Sequence, residues 1–221
     1  DDHAIYKNGA KEIAAQEGHS ITFMAKFNER EGNSCHIHCS LAHAEGGNAF
    51  ASDRKMFERF VAGQLAALRD LTLFYAPHIN SYKRFAEGSF APTAVAWGND
   101  NRTCSMRVVG HGEGLRVENR LPGADVNPYL ALAGMIAAGL AGIDSELSLE
   151  PPMDGNAYTS DKPHVPSNLY DARDLFADSE LVRNAFGQEV VDHYLNRAEV
   201  ELSAFEAAVT DWERYRGFER L

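Results

Sequence analysis

Between Pro128 and Ile143 the chain reads PYLALAGMIAAGLAGI, about sixteen residues without a charge. The flanks constrain what this run can become. Asn127 is a good helix N-cap, and Pro128 suits the first helical position. The run falls short of the roughly twenty residues that a membrane-spanning helix needs. A buried helix is predicted, and its small residues allow another element to pack closely on it. A chain of 221 residues with 44% hydrophobic content can supply the core that such a helix requires.

The remaining elements are read from periodicity. Residues 3–17 place Ile5, Tyr6, Ala10, Ile13 and Ala14 at near-helical spacing, with Gly18 as the stop. Residues 20–26 read as a short strand. Cys35–His43 alternates, with His36, His38 and Ser40 on one face and Cys35, Ile37 and Cys39 on the other. A helix is predicted over 53–75, capped by Asp53 and ended by Pro77. TAVAW, TCSMRVV and LRVENRL read as strands separated by GNDN and VGHGEG. Residues 148–171 read as an extended loop. A helical pattern covers 179–215, broken or bent near Gly187 and Asn196. No internal repeat and no linker divides the chain.

Net charge is −11, yet Arg84, Arg102, Arg107, Arg116 and Arg120 gather between residues 80 and 130. The overall charge argues against nucleic acid and anionic membrane as partners. It leaves room for a small anion in a local cationic field. Strand alternation puts Glu118 on the same face as Arg116 and Arg120. Such a face could hold a cation through Glu118 and an oxyanion through the guanidinium groups, or be a surface row of ion pairs. His36 and His38 could ligate a metal or contact a substrate; a bare HxH is also common on a solvated strand. Alternation points the thiols of Cys35 and Cys39 away from both, against one site using all four. Neither a phosphate-binding glycine loop nor a nucleophile elbow is present. The residues alone favour a metal-assisted enzyme acting on an anion.

Taken together, EGNSCHIHCSL (31–41), NSYKRFAEGSFAP (80–92), NDNRTCSMRV (99–108), RVENR (116–120) and GADVNPYLALAG (123–134) resemble the C-terminal catalytic part of the glutamine synthetase family. The resemblance extends to VTDWERYR (209–216). It implies an α+β fold, a curved antiparallel sheet with surrounding helices. The chain, 1–221, would then be a partial catalytic domain, with the family's β-grasp domain and other metal glutamates upstream of Asp1. On that basis the polypeptide alone is expected to be inactive. The resemblance implies ATP with Mg2+ or Mn2+, L-glutamate and a small amine as substrates, and a ring-forming homo-oligomer. It implies His36 and Glu118 as metal ligands and His38 near the nucleotide and its phosphates. Arg102 and Arg107 would grip phosphate, and Arg116 would contact nucleotide. Arg84 and Gly32 would bind glutamate, and Arg120 would sit near the transferred phosphate and the glutamate side chain. The three cysteines and the absence of a signal-peptide pattern lead to an expectation of a cytoplasmic protein.

One departure from the family pattern bears on the acceptor. Ammonia-using members carry a glutamate where this chain has Phe90. A phenyl ring cannot take a proton from an attacking nitrogen, but it can pack against an alkyl chain. The expected activity is therefore a γ-glutamyl–amine ligase using an organic amine or polyamine. Glutamine synthesis from ammonia, and a non-catalytic structural or nucleotide-sensing homologue, are the alternatives.

Overall fold

The computed structural model describes residues 1–220. The chain opens with helix α1 (Asp2–Gln16), which buries none of its residues and ends ahead of Gly18 at φ +73°. Strand β1 (Ile37–Cys39) follows, then α2 (Ala49–Ser52), α3 (Arg54–Ala66), α4 (Thr72–Tyr75) and α5 (Ile79–Tyr82). The sheet is completed by β2 (Trp97–Asn99), β3 (Met106–Val109) and β4 (Arg116–Asn119). Helices α6 (Pro128–Asp144), α7 (Leu169–Asp178), α8 (Glu180–Phe186), α9 (Gln188–Ala207) and α10 (Asp211–Arg220) complete the described chain.

The strand order is β1-β4-β3-β2. The class is α+β, with one refinement: β1–β4 and β4–β3 are antiparallel, but β2 and β3 run parallel, so the sheet is mixed. Parallel neighbours need a returning connection. Here the loop 100–105 provides it, turned by Asp100 at φ +49°.

The charge-free helix forms as its flanks dictate. Asn127 Oδ1 accepts from the Tyr129 amide at 3.0 Å, and Pro128 stands in the first turn. Its buried stripe holds Ala131, Gly134, Met135, Ala138, Gly139 and Gly142. That stripe lies on α3 at very short range: a Cβ on Gly63 would stand 2.1 Å from the Ala138 carbonyl, and one on Gly142 2.2 Å from that of Arg59. The burial is one-sided: Leu132, Ile136 and Leu140 on the other face are exposed. Among the described residues no helix is long and apolar enough to cross a membrane.

Other expectations shift as well. Residues 20–26 form no strand; Lys26 instead exchanges both backbone hydrogen bonds with the Asn80 side chain, at 2.9 Å each. The 53–75 helix splits into α3 and α4. Asp53 is its cap, accepting from the Met56 amide at 3.0 Å. Gly187 breaks the last helical region as expected, but α9 runs straight through Asn196 and the second break falls at 208–210. The core joins α3, α4 and α6 to the sheet's inner face through Phe57, Phe60, Leu68, Leu71, Met106, Val117 and Leu121. The opposite face of the sheet carries the polar site.

Candidate active site

The sheet register builds the site. His38 pairs with Glu118, Glu118 with Arg107, and Arg107 with Gly98, one residue per strand along a single row. Residues two positions away share that face, which brings in His36, Arg116 and Arg120. The alternation that buries Met106, Val108 and Val117 in the core therefore turns the charged residues the other way.

Glu118 is the hub. Only 2% of it is exposed. Arg120 Nη1 donates to its Oε1 at 2.9 Å, and Arg107 Nη1 to its Oε2 at 2.9 Å. His36 Nδ1 lies 3.0 Å and His38 Nε2 3.7 Å from Oε1. Burial opposes ionisation of this carboxyl, but the hydrogen bonds from His36 and Arg107 and the charge of Arg120 outweigh it and hold the group at about 2. Burial pushes His38 the other way, below the ordinary imidazole range. Arg116 Nε donates to His38 Nδ1 at 3.1 Å, which fixes that ring. Asp100, at the end of β2, accepts from Arg107 Nε at 2.9 Å and again from its Nη2.

Beside the row runs a trough. A cavity of about 590 Å³ is lined by Asp100, Arg107, His111, Gly112 and Arg116, among others. It shares Asn99 and Asp100 with a second hollow of about 530 Å³ that contains Arg102. Arg102 is exposed there and makes no ion pair among the described residues. It does not join the Glu118 cluster. A more enclosed cavity, about 480 Å³, lies elsewhere, between α4, the start of α6 and α9, and touches none of these residues.

Arg84 occupies the interior on the far side of Arg120. It is 2% exposed. Its Nη2 donates to the Leu121 carbonyl and its Nη1 contacts Ser34 Oγ at 3.4 Å. Burial lowers its guanidinium to about 10. A Cβ on Gly32 would stand 2.7 Å from Arg84 Cγ, so these two residues, 52 positions apart, meet. Phe90 stands at φ +56° and is 59% exposed, and Arg120 Nη2 reaches its carbonyl at 3.4 Å.

A model of the glutamine synthetase catalytic domain matches residues 1–216. The chain belongs to that family. The chain is 66% identical to γ-glutamylethanolamide synthetase GlnA4 of Streptomyces coelicolor, across 100% of its own length and 48% of the relative's. It is 40% identical to glutamate–isopropylamine ligase of a Pseudomonas species, across 98% of its length and 50% of the relative's. Among solved structures it superposes on ligand-free GmaS with a TM-score of 0.88, at 30% identity over 97% of this chain and 52% of that one. For GmaS in complex with ADP the score is 0.90, again at 30% identity, over 99% and 54%. The chain spans about half the length of the curated relatives it matches.

Membership in the glutamine synthetase family implies dependence on ATP and magnesium. The residues present fit part of a divalent-cation site. His36 Nδ1 and Glu118 Oε1 lie 3.0 Å apart, close enough for both to face one cation. Glu118 Oε2 spends one lone pair on Arg107, and another remains. Two donors do not fill a six-ligand oxygen-rich shell. Among the described residues no three His, Cys, Asp or Glu side chains are arranged to hold a metal ion by themselves. Sequence reasoning missed Asp100, which sits in a loop, where no period reports which way a side chain faces.

Proposed function

We propose that the protein built on this catalytic domain is an ATP-dependent ligase joining the γ-carboxylate of L-glutamate to an organic amine. The observation that carries the acceptor class is Phe90. Phe90 is exposed while its carbonyl is held by Arg120, so the residue stands at the edge of the buried arginine cluster. Support also comes from relatives, which act on ethanolamine and isopropylamine by name.

When bound, ATP supplies the phosphoryl group that turns a poor electrophile into a γ-glutamyl phosphate, and Mg2+ or Mn2+ neutralises charge on that group. The chain's own residues do the rest. Arg84 and Gly32 hold the amino acid; a side chain at Gly32 would push into Arg84. Arg102 and Arg107 grip phosphate from the trough, their planar forks suited to oxyanions. Arg116 and His38 position the nucleotide. His36 and Glu118 supply the cation ligands. Arg120, fixed by Glu118, aims positive charge at the reacting carboxyl, and such preorganised charge is worth most where water is scarce. Phe90 packs on the alkyl part of the amine. A ring-shaped assembly of identical subunits and a cytoplasmic site of action complete the reading.

Steady-state assays of the full-length protein with ammonium, ethanolamine, putrescine and spermine test it. One organic amine is expected to exceed ammonium in kcat/KM by about tenfold or more, the scale of apolar-pocket discrimination. Preference for ammonium would return the protein to glutamine synthesis. ATP binding without ADP release on any acceptor would make it a nucleotide-sensing homologue.

A further inference from the structure

Tyr158 belongs to none of the motifs, yet the loop that carries it is tied to the site. The Ala157 amide donates to Thr103 Oγ1 at 2.9 Å. Asn101 Nδ2 donates to the carbonyls of Met153 and Gly155, at 3.2 and 2.9 Å. Asn156 Oδ1 accepts from the Tyr158 amide at 3.0 Å and starts the short 3₁₀ turn Ala157–Thr159. The segment 153–158 is thus strapped to the loop that bears Arg102, and the strap turns the Tyr158 ring inward.

The hydroxyl at the end of that ring is buried; Ser89 and the Phe90 backbone lie on the side of its oxygen, and its own proton finds no acceptor among the described residues. Those two residues touch the arginines: Ser89 Oγ donates to the Arg84 carbonyl at 3.2 Å, and Arg120 Nη2 donates to the Phe90 carbonyl at 3.4 Å. Each of those arginines also keeps a buried Nε without a partner. Buried donors that go unmade are costly. Three of them on neighbouring side chains, two charged and one neutral, are fitted to a planar group rich in lone pairs. Burial outweighs the pull of the arginines and pushes the phenol up, so its oxygen keeps the proton it would donate.

We propose that Tyr158 is a substrate-binding residue whose hydroxyl donates a hydrogen bond to a carboxylate of the dicarboxylic amino acid held by Arg84 and Arg120. The identity of that acid, L-glutamate, rests on the ligase reading above. A phenol adds direction to the cationic pair without adding charge, so it selects for where the carboxylate sits.

The experiment is calorimetric titration of the full-length protein with L-glutamate, with neither ATP nor amine present, for wild type and Tyr158→Phe. ADP titration and thermal unfolding run alongside. The variant is expected to raise the Kd for L-glutamate about tenfold, the scale of one hydrogen bond to a charged group. The Kd for ADP should hold within about twofold, and the unfolding midpoint should hold or rise, since a buried proton without an acceptor is removed. An unchanged Kd for L-glutamate in a normally folded variant overturns the proposal and leaves the ligase reading intact. Equal weakening of ADP and L-glutamate with a lowered midpoint also overturns it, because that marks a purely structural residue. If wild type makes no amide with any amine but the variant weakens L-glutamate alone, the ligase reading falls and Tyr158 stands. Failure of wild type to bind L-glutamate at all sinks both.

Discussion

Phe90 adopts φ +56°, in the left-handed region that a non-glycine residue enters at a cost of about 1–2 kcal/mol. Glycine at this position would remove that cost while giving back about 0.5–1 kcal/mol of chain entropy. The two nearly cancel, and the exposed ring contributes little burial. Phe90→Gly should therefore change unfolding free energy by less than about 1 kcal/mol in urea titration. Its effect belongs to the acceptor: KM for an organic amine should rise about tenfold with little change for ATP. A variant that unfolds easily and keeps its amine KM would show the ring to be structural. Most of the polar site was legible at this scale, because period-two alternation alone puts Arg116, Glu118 and Arg120 on one face and His36 and His38 on another strand's matching face. What alternation cannot report is partnership. Arg102 and Arg107 lie five residues apart, yet Arg107 is locked between Asp100 and Glu118 while Arg102 stays at the rim. The segment that carries Tyr158 is tied to the Arg102 loop only by contacts between residues more than 50 positions apart, from Asn101 and to Thr103.

Helices α3 and α6 cross with glycine against glycine, and this contact is what holds the charge-free run in place. A Cβ on Gly63 would meet Gly142 Cα at 2.7 Å and the Ala138 carbonyl at 2.1 Å, so backbone must move. Gly63→Ala should destabilise by about 3 kcal/mol, at the upper end of ordinary overpacking. Gly9 in α1 meets nothing within 4 Å, and Gly9→Ala should stabilise by about 0.5–1 kcal/mol through helix propensity. Urea unfolding of the two variants separates close packing from propensity; equal effects would deny the crossing its role. Two helix starts were readable here because Asp53 and Asn127 announce themselves by side-chain chemistry. The break between α3 and α4 was not. Thr72, Leu73, Phe74 and Tyr75 are all buried, as are Phe60 to Leu65 within α3, so the apolar pattern runs on across the break without marking it. The absent strand at 20–26 has its own cause. The Asn80 amide supplies the pairing a neighbouring strand would have given.

At the scale of the whole molecule the chain is acidic, its site is lined with arginines, and the last described helix carries an exposed aromatic row. Helix α10 buries no residue, and Trp212, Tyr215 and Phe218 recur every third position along it at 68%, 73% and 87% exposure. A row of three aromatic rings on one helix is more apolar surface than a free terminal helix has reason to carry, and it fits docking on a second copy of the chain. Each ring, once buried, is worth about 1.5–3 kcal/mol. Replacing all three by alanine in the full-length protein should cost about 5 kcal/mol per copy, on the order of a thousandfold or more in the assembly equilibrium. Light scattering after size exclusion should then report a smaller particle for the triple variant at micromolar concentration. Its far-ultraviolet circular dichroism should match wild type, since α10 contributes nothing to the core that holds the sheet. An unchanged particle mass would remove α10 from the interface and with it the support that this helix gives to a ring-shaped assembly, leaving the row of Glu118, Arg107 and His38 untouched because no residue of α10 reaches it.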